Sequence, residues 1–221
     1  MSSMLSQRAS GIFLVAALAA CVTGAPQYGG PMWHRSFFEA PARALPESAV
    51  LLPVLCVAGA RDEEGRFKPD EELSSTRATE LEAALAAERR PFELLPLPAL
   101  DEAEHATLAR HRELFAVVAR AALAAGQHGS TPADKLRDFD YTLGPGLACL
   151  APRTGAPVAL FVANLDHSLM VGLVELASGD LLWVGPGSIF RWDEDGLRRS
   201  LARLFDDYPG LEDFARVRRR S

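Results

Sequence analysis

Residues 157–185 read PVALFVANLDHSLMVGLVELASGDLLWVG, three apolar runs separated by two short polar segments. The first run, PVALFVANL at 157–165, has the length and the apolar character of one strand and predicts a strand. The runs at 169–176 and 180–185 are separated by Ala-Ser-Gly-Asp, which is typical of a β-hairpin turn. The stretch therefore predicts three consecutive strands, of which the last two form a hairpin.

Strands and helices alternate on the amino-terminal side of this stretch. AVLLPVLCV at 49–57 predicts a buried strand, although Pro53 brings no N–H group to a ladder, and a charged loop at 61–72 follows it. The other predicted elements are a helix from Asp70 or Ser74 to Arg89, a strand at 92–97, a long helix at 101–125, a short helix at 146–153 and an amphipathic helix from Asp195 to about Asp207. The order β-α-β-α-(α)-β-β-β-α predicts a single α/β domain with a mixed sheet, in two or three layers.

The first 20 residues have the pattern of a secretory signal peptide. Arg8 is their only charged side chain, and the apolar run GIFLVAALAA at 11–20 is too short to cross a bilayer as a helix. Leu18-Ala19-Ala20-Cys21 resembles the lipobox of bacterial lipoproteins, in which a peptidase cuts before a cysteine that carries a diacylglyceryl group on sulfur. We predict removal of residues 1–20 and lipidation of Cys21; a chance cysteine after an ordinary signal peptide is the alternative.

The lipobox resemblance implies that acyl chains attach the protein to a membrane. Val22 stands where an aspartate would resemble an inner-membrane retention signal, which favours the outer membrane over the inner one. Residues 21–47 are predicted to be a Gly/Pro-rich tether, 48–207 the α/β domain and 208–221 a basic tail. The tether contains three aromatic residues that are expected to dock on the domain or lie at the lipid interface: Trp33, Phe37 and Phe38.

Charge and motif content exclude several classes of function. The chain has 23 basic and 29 acidic side chains, a formal charge of −6 that becomes −7 when Arg8 leaves with the leader. Nucleic-acid binding requires a basic face, so we predict no nucleic-acid partner. No P-loop, H-E-x-x-H or G-x-S-x-G motif occurs, and we predict neither a cofactor nor a metal site.

Several groups of polar residues have the composition of a functional site, and each of them also has a purely structural interpretation. Asp166-His167-Ser168 contains the residue types of a catalytic triad, but neighbours in an extended chain face opposite ways, so a hairpin turn is favoured. Gly144-Pro145-Gly146 is compatible with an anion site or with a helix start, and Asp138 and Asp140 with a cation site or a cap. His105 and His111 face different directions on a helix. The acidic loop at 61–72 follows a strand, at the edge where α/β folds bind ligands.

Two cysteines remain once Cys21 is lipidated. Cys56 and Cys149 both lie in apolar runs, which favours two buried free thiols, and a disulfide is the alternative.

The carboxyl-terminal half resembles a group of uncharacterised proteobacterial lipoproteins. Residues 140–147 (DYTLGPGL), 154–162 (TGAPVALFV) and 173–184 (LVELASGDLLWV) resemble the family pattern DYSLGPG, TGADYALFV and LVDLRTGDVLWF. The layout is distantly similar to the amino-terminal domain of TolB and to curli-secretion lipoproteins of the CsgG type. Pro157 replaces the aspartate of that group, and residues 164–168 are a short connection where the group has a glycine-rich insertion.

The anchor, the tether, the TolB/CsgG-like layout and the missing catalytic constellation together predict a non-catalytic envelope lipoprotein that faces the periplasm and binds protein partners at the outer membrane. The alternative function is a small-ligand binder or sensor that uses the loops around 61–72 and 138–146. A hydrolase would require a polar pocket that joins Asp138, Asp140 and His167.

Overall fold

The computed structural model describes residues 32–34, 46–88, 90–127, 140–206 and 208. The predicted lipidation site Cys21 lies outside these ranges, as do Phe37, Phe38, Asp138 and the terminal arginines. The strands are β1 (Met32–Trp33), β2 (Ser48–Leu51), β3 (Leu55–Val57), β4 (Gly59–Arg61), β5 (Phe67–Pro69), β6 (Glu93–Leu95), β7 (Val158–Leu165), β8 (Ser168–Glu175) and β9 (Leu181–Ser188). The helices are α1 (Glu71–Ala87), α2 (Glu102–Gln127), α3 (Leu150–Thr154) and α4 (Glu194–Asp206).

A mixed sheet organises these elements. Its strand order is β1-β9-β8-β7-β2-β6, and β3 pairs with β7 beyond the end of β2. β2 and β3 are parallel to β7, and β6 is parallel to β2, whereas β7, β8, β9 and β1 are joined by antiparallel pairs. The predicted α/β domain with a mixed sheet, including the three consecutive strands and their hairpin, is confirmed.

Helices cover both faces of the sheet. α2 packs on one face, where the ring centroids of Phe115 and Phe161 are 5.1 Å apart. α1 and α4 cover the other face, where Leu81 and Leu201 are fully buried in one cluster with Leu160. All eight residues of β7 are buried, which explains why seven of them are apolar, because a strand covered on both faces has no solvent side. The exception, Asn164, donates from Nδ2 to the Asp166 carbonyl at 3.0 Å. The domain therefore has three layers.

The strand predicted over 49–57 is interrupted by Pro53. β2 ends before this proline and β3 begins after it, because proline donates no ladder hydrogen bond. The Val54 backbone is held by side chains instead: its N–H donates to Glu82 Oε1 at 2.8 Å, and its carbonyl accepts from Arg112 Nη2 at 2.6 Å. Glu82 belongs to α1 and Arg112 to α2, so the helices of both outer layers reach the break. The prediction of one continuous strand is wrong here.

An Arg112→Met substitution is expected to lower the free energy of unfolding by about 1–2 kcal/mol, because it leaves the Val54 carbonyl without its donor. Burial lowers the pKa of Arg112, against the opposing effect of Glu82 and Glu113, so removing a partly desolvated charge offsets part of the cost. Arg110→Met, at an exposed position of the same helix, is the control and should change stability by less than about 0.5 kcal/mol. Equal urea midpoints for the two variants would contradict the role of Arg112.

Helix boundaries differ from the predictions at two places. Asp70 rather than Ser74 caps α1, since its carboxylate accepts the N–H of Leu73 at 2.9 Å. The short helix predicted at 146–153 begins only at Leu150, because the preceding residues form turns.

The sequence does not predict two short strand pairs. β4 and β5 form a hairpin within the charged loop, where Asp62 Oδ1 accepts the backbone N–H groups of Glu64 and Arg66 at 3.1 and 2.8 Å. Met32 and Trp33 pair with β9 at the edge of the sheet, so part of the predicted tether belongs to the sheet.

The segment around Gly144 docks on the turn between β8 and β9. The Leu143 N–H donates to the Gly179 carbonyl at 2.8 Å, and the Leu181 N–H donates to the Tyr141 carbonyl at 2.8 Å. Gly179 has φ +79°, and a Cβ atom built there would overlap the backbone of Gly144. Close approach of the two backbones therefore requires glycine at position 179.

Candidate functional site

One end of the sheet brings together several residues singled out in the sequence. We call it the turn end and define it as residues 58–69, 166–167 and 189–193. The parallel strands β3 and β7 both finish there, and the Asp166 N–H donates to the Val57 carbonyl at 2.8 Å. The Ile189 N–H donates to the His167 carbonyl at 3.2 Å, which holds the loop after β9 against the turn between β7 and β8. The turn end is the edge at which α/β folds commonly bind ligands.

Asp166 and His167 form the tight turn between β7 and β8, as favoured from the sequence. Asp166 has φ +60°, and its carboxylate lies 3.8 Å from Arg61 Nη2 and 3.6 Å from His167 Nε2. Ser168 is already in β8 and only 8 % exposed, so its hydroxyl is not open to a substrate. Asp166 and His167 therefore form the turn, and Ser168 begins the next strand.

The Gly144-Pro145-Gly146 segment is a turn that joins other elements. The Gly144 N–H donates to Thr142 Oγ1 at 3.0 Å, and the Ala148 N–H donates to the Pro145 carbonyl at 3.0 Å. A Cβ at Gly146 would overlap the imidazole of His111. The N–H groups of Gly144 and Ala148 thus both donate to the protein itself, which supports a structural role for this segment rather than anion binding.

The remaining polar candidates do not converge. His111 Nδ1 lies 2.8 Å from the Thr107 carbonyl, whereas His105 is exposed near the start of α2. Asp140 is exposed, and its predicted partner Asp138 lies outside the described residues. Within the described ranges, no group of three or more His, Cys, Asp or Glu side chains is placed to hold a metal ion.

A cleft of about 170 Å³ lies between the first turns of α2 and residues 146–150. Leucines from both sides, including Leu108 and Leu147, form its apolar wall, and the carboxylates of Asp101 and Glu104 lie at its rim. These two residues form a reciprocal capping box: the Glu104 N–H donates to Asp101 Oδ1 at 2.8 Å, and the Asp101 N–H donates to Glu104 Oε2 at 2.9 Å.

Arg153 binds Glu104, one of the two carboxylates of this cleft. Its Nη1 lies 2.6 Å from Glu104 Oε1, and its Nη2 donates to the Ala99 carbonyl. The Asp101 N–H and the Arg153 guanidinium hold the pKa of Glu104 below its usual range. The rim carboxylates thus bind their own chain, and the cleft offers mainly an apolar wall to a ligand.

Both cysteines are free, as favoured from the sequence, but only one is shielded. Cys56 is partly buried and lies 3.6 Å from Asn164 Nδ2. Cys149 is exposed at the rim of the cleft, so the prediction that it is buried is wrong. Leu147 and Leu150 are three residues apart and both point into the core, which turns position 149 outward.

The two thiols are expected to differ in reactivity. Burial raises the pKa of the Cys56 thiol, so a smaller fraction of it is thiolate at pH 8, while Cys149 is open to solvent. With an aromatic disulfide reagent, the folded chain lacking a free Cys21 should show one fast and one slow thiol. Cys149→Ser should remove the fast phase, and denaturation should make Cys56 fast. A fast phase that survives in Cys149→Ser would contradict this assignment.

The loop after β9 carries the most exposed large apolar side chain of the described residues. Phe190 is 79 % exposed, whereas its neighbour Ile189 is fully buried. Trp192 stacks under Arg77, whose guanidinium carbon lies 4.5 Å from the ring centroid. The sequence patterns did not single out this loop. The signal that could have found it is an apolar residue between the end of a strand and Arg191.

Comparison of the chain with protein-family models, with curated proteins and with solved structures gives no match.

Proposed function

We propose that this chain is a bacterial envelope lipoprotein, lipidated at Cys21, whose α/β domain is a non-catalytic interaction module facing the periplasm at the outer membrane. The sequence Leu18-Ala19-Ala20-Cys21 after a short apolar run carries the proposal. The domain supports it in one respect: the first described strand begins at Met32, only eleven residues after Cys21. Among the described helices, none combines the length and the apolar character that crossing a bilayer demands.

The non-catalytic role is supported by what the reactive side chains do. Asp166 is held by Arg61 and by the turn that it forms. Asp101 and Glu104 cap α2, and Glu104 also binds Arg153. These acids stabilise the fold through contacts with their own chain.

The intact mass of the protein, purified from bacterial membranes in detergent, tests the anchor. The expected mass corresponds to loss of residues 1–20 and addition of a diacylglyceryl group and an amide-linked acyl chain. An unmodified chain, or one cleaved at another position, would refute lipidation at Cys21. Growth with an inhibitor of lipoprotein signal peptidase should cause the uncut form to accumulate.

The outer face of α2 is the surface that we assign to an envelope protein partner. Leu114 and Val117 are 41 % and 42 % exposed and lie three residues apart, so they share one side of the helix. Crosslinking in intact envelopes should capture a partner that a Leu114→Ser/Val117→Ser chain loses and that an Ala177→Ser chain, changed at an exposed position of the turn between β8 and β9, keeps. Identical capture by all three chains, or no specific capture, would contradict the assignment.

A small-ligand binder is the second candidate, and the cleft beside Leu108 favours it. A ligand of the native state would raise the melting temperature by mass action. Thermal-shift screening with ions, nucleotides, sugars and short fatty acids separates the candidates, since a stabilising hit that Leu147→Trp abolishes would support the ligand binder. The interaction module predicts no such hit.

A further inference from the structure

We propose that the loop Phe190-Arg191-Trp192 contacts the headgroup region of the bilayer that holds Cys21, so that the turn end of the sheet faces the membrane. The inference rests on the lipid anchor proposed above and adds an orientation to it. The proposed occupant of this surface is a zwitterionic phospholipid bilayer.

The direction of β1 decides at which end of the sheet the chain arrives. β1 is antiparallel to β9, with Met32 opposite Val184 and Trp33 opposite Trp183. The amino-terminal side of β1 therefore faces the carboxyl-terminal end of β9, which is the turn end. Ten residues lie between Cys21 and Met32, and the eleven Cα-to-Cα steps span at most about 40 Å. Met32 is four residues, or about 13 Å, from the end of β9 at Ser188, so a connection that continues the direction of β1 passes the turn end, whereas reaching the opposite end requires the chain to reverse.

Phe190 projects from this same end. It follows the last residue of β9 by two positions and is 79 % exposed. The hydrogen bond from Ile189 to His167 and the complete burial of Ile189 fix the base of the loop. A phenyl ring held outward on a fixed base suits shallow insertion at the boundary between headgroups and acyl chains, where the apolar faces of interfacial helices place phenylalanine.

Trp192 follows Phe190 by two positions, is partly buried and packs against the core cluster that contains Ile189. Its face is covered by the guanidinium of Arg77, and its indole Nε1 is buried with no hydrogen-bond partner in the described part of the chain. Trp192 therefore supports the base of the loop, and Phe190 is the exposed apolar side chain that the loop presents to the bilayer.

The charges around Phe190 select the kind of lipid. The Nε of Arg191 donates to Asp193 Oδ2 at 2.9 Å, which neutralises the cation next to the ring. α4 then begins with Glu194 and Asp195. The paired cation gains little attraction from anionic lipid, and the two acids are repelled by it, so a zwitterionic headgroup such as phosphatidylethanolamine or phosphatidylcholine is the matching one.

One phenyl ring is enough to orient a domain that a lipid already holds at the bilayer, but not enough to bring the domain to the bilayer from solution. Burial of the ring favours the docked orientation by about tenfold to a hundredfold. A domain without the lipid anchor, at micromolar concentration, would stay in solution, because a preference of this size is too small to bind it to the bilayer. A tethered domain experiences a millimolar effective concentration at the surface, so the same factor makes the docked orientation predominant.

Site-specific quenching in vesicles tests the orientation. The full-length lipidated chain carries Cys149→Ser and one new cysteine, either Glu194→Cys near Phe190 or Ala177→Cys in the turn between β8 and β9 at the opposite end of the same hairpin. Each is labelled with a fluorophore and reconstituted into phosphatidylcholine vesicles containing a headgroup spin-labelled lipid. Cys149→Ser alone reports the background labelling of Cys56.

Quenching at position 194 should exceed that at position 177 by about threefold or more, and Phe190→Ser should abolish most of the difference. Equal quenching at the two positions overturns the orientation, and an unchanged difference in Phe190→Ser overturns the role of the ring. Flotation of the vesicles reports the anchor separately. Protein that floats without differential quenching refutes this inference alone, whereas protein that does not float refutes the lipid anchor and this inference with it.

Discussion

A chain with Cys21→Ala behind an ordinary cleavable signal peptide is expected to leave the membrane fraction completely. The thioether to diacylglycerol forms on sulfur, which alanine lacks, so none of the acyl chains is attached. Each buried CH₂ of such a chain contributes about 0.8 kcal/mol to membrane binding, and several chains make attachment effectively permanent. The measurement is the distribution of the protein between membrane pellet and periplasmic extract. An ordinary signal peptide is needed because an uncut leader would itself hold the chain at the membrane.

Two controls define this result. Cys149→Ser with the native leader should remain in the membrane fraction, since Cys149 lies in the folded domain at the rim of the cleft. The released Cys21→Ala chain should unfold at the same urea concentration as the detergent-purified lipidated chain. Persistence of the released form with membranes would show that a protein contact, rather than the lipid, attaches it.

The largest loss of stability is expected from Gly179→Ala, at about 3 kcal/mol or more. A non-glycine residue at φ +79° costs about 1 kcal/mol or more of backbone strain. The added methyl group would also overlap the backbone of Gly144, and relief of that clash requires the segment to move from the turn, at a further cost of about 1–3 kcal/mol. The hydrogen bond from Leu143 to Gly179 would be lost with it.

Gly65→Ala provides a matched control for this substitution. Gly65 has the same φ of +79°, but nothing lies within 4 Å of a Cβ built on it. It should therefore show only the strain of about 1 kcal/mol. Urea unfolding monitored by tryptophan fluorescence measures both variants. Equal losses for the two would mean that the contact between Gly144 and Gly179 contributes nothing to stability.

The centre of the fold could be predicted because its pattern is local. Residues 157–185 contain three apolar runs and two short turns, and Asn164 is the one polar residue of β7, so little obscures the pattern. The turn at Asp166 and His167 followed from the same spacing. Pro53 marked an irregular position in the predicted strand. The side chains that hold the Val54 backbone at this break could not be predicted, because Glu82 and Arg112 lie 28 and 58 residues from Val54 in the sequence.

The candidate site was less predictable, because exposure depends on packing of distant elements. Ile189 and Phe190 are adjacent and both apolar, yet one is fully buried and the other 79 % exposed. Cys149 lies in an apolar run, but Leu147 and Leu150 take the inward positions on either side of it. The sequence shows which residues are apolar or reactive. Which of them face solvent depends on the conformation of the turns around them.

The two-residue pairing of β1 with β9 has a mechanical consequence. With Cys21 fixed in a bilayer, a force pulling the domain away acts first on β1, which is held by its pairing with Val184 and Trp183 and by a hydrogen bond from the His34 N–H to the Leu182 carbonyl. Detachment of so short a strand would precede rupture of the long β7–β8–β9 ladders. The greatest possible span from Cys21 to the sheet would then rise from about 40 Å, at Met32, to about 95 Å, at Ser48. The edge strand would thus make the reach of the domain depend on tension.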